Sequence, residues 1–130
     1  MDHVVNYKTD AHWGETARKF TPDGFDHVIE VGGASTLAQS LKAIAAHGTI
    51  SCIGFLGDGE APSLLEALYH SCIVRGIAIG NTVQFEEMVR AIDAGNIKPV
   101  VDKVFQFEDA REAYKHLEGQ GFTGKVVIEI

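Results

Sequence analysis

Short apolar segments rich in β-branched residues alternate along this chain with segments of helical periodicity, and this alternation restricts the fold more than any other feature. The clearest apolar segments end in glycine and cover residues 25–33, 49–54 and 74–80. They are continuous apolar runs more than alternating apolar and polar residues, which is typical of parallel strands. The sequence therefore predicts an α/β fold, in which a mostly parallel sheet is flanked by helices.

Further strands are predicted over residues 4–7, 100–107 and 126–130, and the predicted helices cover residues 11–20, 36–47, 63–72, 83–94 and 109–119. The helix over 83–94 has the most regular pattern, with an Asn81-Thr82 cap and four apolar residues at i, i+3, i+4 and i+7. Gly48 is expected to take the left-handed conformation just after the second helix.

Composition excludes several classes of protein. The chain has 130 residues and a hydrophobic fraction of 45%, which predicts a single globular domain over residues 1–130. A net charge of -7 argues against nucleic-acid binding, which needs clustered Lys and Arg. No apolar run approaches the roughly 20 residues of a membrane helix, and the N-terminus lacks the basic region of a secretion signal. We therefore expect a cytoplasmic protein with no membrane partner, in which Cys52 and Cys72 are reduced.

Glycine follows three of the predicted strands, in the segments Val31-Gly32-Gly33, Ile53-Gly54-Phe55 and Ile79-Gly80-Asn81. Ligands of parallel sheets bind outside the carboxyl ends of the strands, where glycine allows a ligand to approach the backbone. Glycine at such a position also serves simply to turn the chain into the next helix. Three glycine ends in one sheet favour a shared crevice, but the sequence leaves both readings open.

Four separated segments together resemble the C-terminal part of medium-chain NAD(P)-dependent dehydrogenases, and most closely zinc-type alcohol dehydrogenases and quinone oxidoreductase-like proteins. These segments are residues 2–7, 24–33, 48–54 and 124–128. The resemblance covers essentially the whole chain and implies part of a Rossmann-type cofactor domain. It also implies that the chain begins at the third strand of that domain, so that the first βαβ unit and the catalytic domain are absent.

The resemblance assigns cofactor contacts to residues at the ends of three strands and to one basic residue. These positions are Val31 and Gly32, Ile53 and Gly54, Ile77 and Ile79, and Lys125. The apolar side chains would flank the flat ring of NAD or NADP, and Lys125 would lie near the phosphates. A solvated lysine is an equally good reading of Lys125.

Other motifs of the family are missing from this sequence. It contains no G-x-G-x-x-G, so we expect NAD or NADP to bind weakly. Zinc belongs to the family, but two cysteines and six scattered histidines form no ligand pattern, and no catalytic residue is predicted. The expected function is a partial NAD(P)-binding domain of an oxidoreductase, unable to transfer hydride alone. The alternative is a non-catalytic binding or oligomerisation module. The substrate and the choice between NAD and NADP are not determined.

A homo-oligomer is predicted by two routes. The resemblance implies that the strand over 75–80 is a sheet edge that pairs with its copy in a partner subunit. Independently, if the strand over 3–7 pairs with that over 26–31, the right-handed crossover rule places three helices on one face and leaves two for the other. That second face would remain partly bare, and bare apolar faces promote association.

Overall fold

A computed structural model describes residues 2–130, apart from the side chain of Leu64. The chain divides into two compact units, which meet in sequence between Ile79 and Gly80. The first unit contains α1 (Trp13–Arg18), β1 (Phe25–Glu30), α2 (Ala34–Ala43), β2 (Ile44–Cys52), α3 (Leu64–Tyr69) and β3 (Ile73–Gly76). The predicted α/β class with parallel strands and flanking helices is confirmed. The single domain over all 130 residues stays a prediction.

The first unit is built on a three-stranded parallel sheet in the order β1-β2-β3. β1 pairs with β2 from His27 opposite Thr49 to Glu30 opposite Cys52, and β2 pairs with β3 as far as Cys52 opposite Gly76. The carboxyl ends of the three strands therefore lie side by side, in the arrangement that ligand-binding parallel sheets use.

The core of the first unit lies between this sheet and α2. Leu41, Ile44 and Ile50 are fully buried there, and they are joined by the partly buried side chains of Val28, Leu37, Cys52 and Cys72. Of the apolar positions expected of the second helix, Leu37 and Leu41 lie in α2 and pack on the sheet, so the helical periodicity identified the packed side at these two residues.

The end of the second predicted helix differs from the structure. α2 ends at Ala43, and Ile44 is already extended as the first residue of β2. The left-handed residue is His47, with φ of 64°, and not Gly48. His47 donates its backbone N–H to the carbonyl of Ser71, which holds this turn in place. Gly48 is needed for space instead, since a Cβ there would lie 2.8 Å from the Ile44 side chain.

The predicted strand over residues 4–7 is wrong, since residues 2–6 have no regular structure and a turn follows. The backbone carbonyl of Asn6 accepts from the N–H groups of Thr9 and Asp10, and its side chain accepts from Lys8. Asparagine commonly replaces a strand ladder with such local hydrogen bonds. The pairing of this segment with β1, on which the bare-face route depended, therefore does not occur.

The second unit contains α4 (Thr82–Ala94), β4 (Val101–Gln106), a 3-10 turn (Phe107–Asp109), α5 (Ala110–Glu118) and β5 (Lys125–Glu129). Its sheet has two parallel strands, β4 and β5, against which α5 packs through the buried Ala113. Asn81 and Gln84 form a reciprocal capping box at the start of α4, so the predicted cap is confirmed. Within residues 2–130, no helix is long and apolar enough to cross a membrane.

Acid is expected to destabilise the second unit through Asp102. Its carboxylate lies 2.7 Å from Nε2 of His116, and this hydrogen bond is the main cause that lowers the pKa of the Asp102 carboxyl. A lowered pKa in the folded state stabilises the fold only while the carboxyl is ionised. The contribution is therefore complete above about pH 4, the ordinary Asp value, and is lost as pH falls through the lower folded value.

This pH dependence can be measured with the backbone amide signals of β4 and β5 during acid unfolding. We expect Asp102→Asn to be less stable than the parent chain at neutral pH and to converge with it in strong acid. Asp109→Asn is the control, because the Asp109 side chain caps no backbone group. The prediction would be contradicted if the difference in unfolding free energy between Asp102→Asn and the parent chain stayed constant down to the lowest pH.

Candidate functional site

Three apolar residues follow the ends of the three neighbouring strands of the first unit. Val31 follows β1, Ile53 follows β2 and Ile77 follows β3. The ladder continues through them, because Ile53 donates its N–H to the carbonyl of Glu30 and Ile77 donates its N–H to the carbonyl of Cys52, each at 2.9 Å. These three residues, the strand-end triplet, are therefore consecutive neighbours across the sheet.

The strand-end triplet is accessible. Val31, Ile53 and Ile77 are 43%, 46% and 39% exposed, whereas Ile50 within β2 is completely buried. Half-exposed apolar side chains in one row form a surface on which a flat ring can lie, with strand-end backbone groups near its polar substituents. The structure thus brings together the apolar residues that the sequence assigned to the ends of β1 and β2, and Ile77 with them.

The two glycines of the predicted site are required by the packing of the chain itself. A Cβ at Gly54 would lie 2.5 Å from the carbonyl oxygen of Val31, and one at Gly32 would overlap the Thr36 side chain. The loop after β2 also crosses the turn after β1, where Gly57 donates its N–H to the carbonyl of Gly32 at 2.8 Å. Both glycines therefore keep the turn after β1 and the end of β2 tightly packed, a role that neither reading of the sequence named.

Ile79 does not join the strand-end triplet by strand pairing. β3 ends at Gly76, so the strand predicted over residues 74–80 is wrong in its second half. The chain leaves the ladder after Ile77 because it must enter the capping box that begins α4. Ile79 is 89% exposed, and its cofactor contact stays a prediction.

Lys125 belongs to the second unit, where it is the first residue of β5. Its backbone N–H donates to the carbonyl of Val100 at 2.9 Å, and the residue is exposed. The side chain is thus free to meet an anion. A phosphate contact by Lys125 stays a prediction.

Sequence reasoning missed Glu30, the last residue of β1, which is only 3% exposed. Its Oε1 accepts from the N–H groups of Gly32 at 2.8 Å and Gly33 at 3.0 Å, and from the Thr36 hydroxyl at 2.5 Å. Its Oε2 accepts from the Ser40 hydroxyl. The available signal was an acidic residue at the end of an apolar strand, followed by two glycines and a helix that carries hydroxyl residues on one side.

The cysteines near the site are free thiols. The β2–β3 register puts Cys72 beside Gly48, four residues before Cys52, so their Cα atoms are separated by about 13 Å along the strands. A disulfide requires less than about 7 Å. Burial, together with the nearby charge of Glu30, raises the pKa of the Cys52 thiol, and burial raises that of Cys72.

Residues 2–130 contain no group of three or more His, Cys, Asp or Glu side chains that could hold a metal ion. A catalytic zinc needs three protein ligands and a structural zinc needs four. The described residues therefore do not fit a zinc site.

Comparison with known proteins identifies the family. Residues 1–128 match the family model described as zinc-binding dehydrogenase. The chain belongs to the zinc-binding dehydrogenase family. A zinc-type alcohol dehydrogenase-like protein of Schizosaccharomyces pombe is 43% identical over 98% of this chain and 39% of its own length. The quinone oxidoreductase-like protein 2 of Bos taurus is 25% identical over 97% of this chain and 39% of its own length.

Solved structures of dehydrogenases have the same fold. An alcohol dehydrogenase structure from Sinorhizobium meliloti 1021 superposes with a TM-score of 0.86 at 38% identity, over 99% of this chain and 38% of that one. An NAD-dependent alcohol dehydrogenase superposes with a TM-score of 0.84 at 29% identity, over the same shares of the two chains. The chain thus matches the C-terminal, NAD(P)-binding part of its relatives and spans about two fifths of their length.

Proposed function

We propose that this dehydrogenase chain supplies part of the NAD(P)-binding surface of an oxidoreductase that transfers hydride between the cofactor and an alcohol, carbonyl compound or quinone. The observation that carries the proposal is the strand-end triplet, a row of half-exposed apolar residues at the carboxyl edge of a parallel sheet. The nicotinamide ring supplies the hydride chemistry when the cofactor is bound. Relatives named NAD-dependent alcohol dehydrogenase and quinone oxidoreductase-like protein 2 support alcohols with their carbonyl products as one substrate class and quinones as the other.

In this proposal the residues of the chain bind the cofactor and orient its ring. Val31, Ile53 and Ile77 offer apolar contact to an uncharged ring and exclude water from one side of it. The cofactor would approach the backbone of the chain at Gly32, Gly54 and Ile79. The side chain of Lys125 would bind a phosphate of the cofactor. Since no step of the reaction is assigned to these side chains, the 130 residues by themselves are expected to show no hydride transfer.

Titration with NADH tests the proposal. Because the sequence lacks a phosphate-binding glycine loop, we expect dissociation constants in the millimolar range, which corresponds to about 4 kcal/mol of binding free energy. Amide signals of Gly32, Gly54 and Ile77 should shift in a saturable manner in NMR spectra of the labelled chain. Saturation at micromolar NADH would contradict the expected weakness. No shift at these residues at any soluble concentration would overturn the proposed site.

Two matched variants sharpen this experiment. Ile53→Ser removes apolar area from the middle of the strand-end triplet, whereas Leu68→Ser removes a similar area from an exposed position of α3. We expect Ile53→Ser to weaken NADH binding about tenfold, the equivalent of ~1.4 kcal/mol. Leu68→Ser should bind as the parent does. Equal affinities of the two variants would place NADH elsewhere.

We also propose that the protein is a cytoplasmic homodimer that pairs through β3. All four residues of β3 are exposed, and β3 is the last strand of its sheet. An edge strand offers unpaired N–H and C=O groups that a second copy can continue across a two-fold axis.

A further inference from the structure

The carboxylate of Glu30 is surrounded by hydrogen-bond donors. It accepts from two backbone N–H groups and two hydroxyls, and the residue is almost completely buried. An ionised carboxylate accepts about four hydrogen bonds and donates none. The four donors around Glu30 therefore match an anion, and a buried charge of this kind is stable only with such partners.

The two backbone N–H donors, Gly32 and Gly33, lie at the N-terminal end of α2, and the Thr36 and Ser40 hydroxyls follow along the helix. Gly33 is the N-cap residue of α2, has φ of 77° and makes no side-chain cap of its own. The first N–H groups of a helix are unpaired within it and carry a partial positive charge, so that helix N-termini commonly bind phosphates. In this chain the Glu30 carboxylate, from the preceding strand, accepts from the N–H of the N-cap residue Gly33 and from that of Gly32 just before it.

The same contacts fix the backbone between β1 and α2. The N–H of Gly32 donates to Glu30, while the carbonyl of Gly32 accepts from Gly57. Val31 lies between Glu30 and Gly32, and hydrogen bonds fix the backbone of both of these neighbours. Ile29, two residues earlier on the same side of β1, is also exposed, so these contacts fix the backbone of Val31 rather than the exposure of its side chain.

We propose that Glu30 is a resident anion: it fills the anion position at the start of α2, and it positions Val31 and Gly32 in the cofactor site. The end of β1 then receives an uncharged part of the cofactor and rejects its phosphates, because a phosphate there would face a carboxylate and find the N–H groups of Gly32 and Gly33 taken. This inference rests on the proposed function for the identity of the ligand. Glu30 acts as a positioning residue and touches no reacting atom.

The first experiment uses Glu30→Ala with sodium formate and inorganic phosphate as probes. In the parent chain neither anion should shift the amide signals of Gly32 and Gly33. In Glu30→Ala these signals should move, and formate should restore them with a saturable dissociation constant in the millimolar range. Glu60→Ala, at an exposed position of the same unit, is the control and should behave as the parent. Anion-induced shifts in the parent, or none in a folded Glu30→Ala, would overturn the proposal.

Glu30→Gln keeps the experiment decisive if Glu30→Ala does not fold. Its amide oxygen can still accept from Gly32 and Gly33, and the Ser40 hydroxyl can accept from its amide nitrogen. Hydrogen bonds to a neutral acceptor are weaker than those to a carboxylate, so both glycine amide protons should move upfield. Unchanged signals would show that the contact is absent and overturn the proposal.

NADH affinity separates positioning from a merely structural role. We expect Glu30→Ala, or Glu30→Gln to a smaller extent, to lower NADH affinity about tenfold, and formate to restore it in Glu30→Ala. An affinity unchanged in both variants would overturn the positioning role. If NADH shifts no strand-end signal in the parent, the proposed function fails, while the formate and phosphate titrations still decide whether Glu30 is the resident anion.

Discussion

Replacing Gly24 with alanine is expected to lower the free energy of unfolding of the first unit by about 4 kcal/mol. Gly24 has φ of 92°, and a Cβ there would lie 2.6 Å from the backbone nitrogen of Ala45 and 2.7 Å from its Cα. The obstacle is backbone, so no side chain can rotate away. The start of β1 would have to move from β2, and this loss is a large part of the 5–15 kcal/mol typical of a domain.

Gly59→Ala separates the two causes of this effect. Gly59 also has positive φ, 141°, but a Cβ there would meet nothing nearer than 3.8 Å. Gly59→Ala should therefore cost only the backbone strain, about 1–2 kcal/mol. Urea unfolding followed by the fluorescence of Trp13 in α1 measures both variants. Equal losses for Gly24→Ala and Gly59→Ala would show that crowding against Ala45 has no energetic weight.

The sequence predicted α2 and α4 well, although only α2 buries its apolar side, since Phe85, Met88 and Val89 of α4 are exposed. α4 and its capping box follow from local hydrogen bonding and periodicity, and α2 presents its expected Leu37 and Leu41 to the sheet. The errors lie where a contact distant in sequence decides the conformation. α2 ends before Ile44 because that residue pairs with Phe25 of β1, and His47 is left-handed because it bonds to Ser71. Neither partner is visible in the local pattern.

In the candidate site, too, the features set by local sequence were predicted and those set by distant contacts were not. Apolar residues before or within glycine turns predicted the ends of β1 and β2 correctly, and parallel strands bring such ends to one edge. The sequence could not show that the glycines serve internal packing, since this requires the approach of Gly54 to Val31. Glu30 was missed because an acidic residue in a strand normally indicates an exposed position. Its burial depends on donors up to ten residues later, on α2.

The predicted homodimer has a sharp test at Val74. The N–H of Ile77 faces β2, where it bonds to Cys52, and N–H groups alternate along a strand. The N–H groups of Val74 and Gly76 therefore face away from β2, toward any partner copy. Proline is tolerated on an edge strand when its missing N–H faces solvent. Val74→Pro should consequently fold and lose a hydrogen bond only at the interface. Ile79 lies outside β3, so a proline substitution there would not test this edge.

Two copies of Val74→Pro remove two hydrogen bonds across a two-fold axis and leave their carbonyl partners unpaired, at a combined cost of about 3 kcal/mol. We therefore expect the dimer dissociation constant to rise about 100-fold, measured by sedimentation equilibrium or light scattering. Val74→Ala keeps the N–H and trims the side chain, so it should stay close to the parent. A monomeric parent at micromolar concentration would contradict the homodimer. A dissociation constant that Val74→Pro leaves unchanged would exclude an interface in which the Val74 N–H bonds to the partner copy, because two such hydrogen bonds cannot be removed without cost.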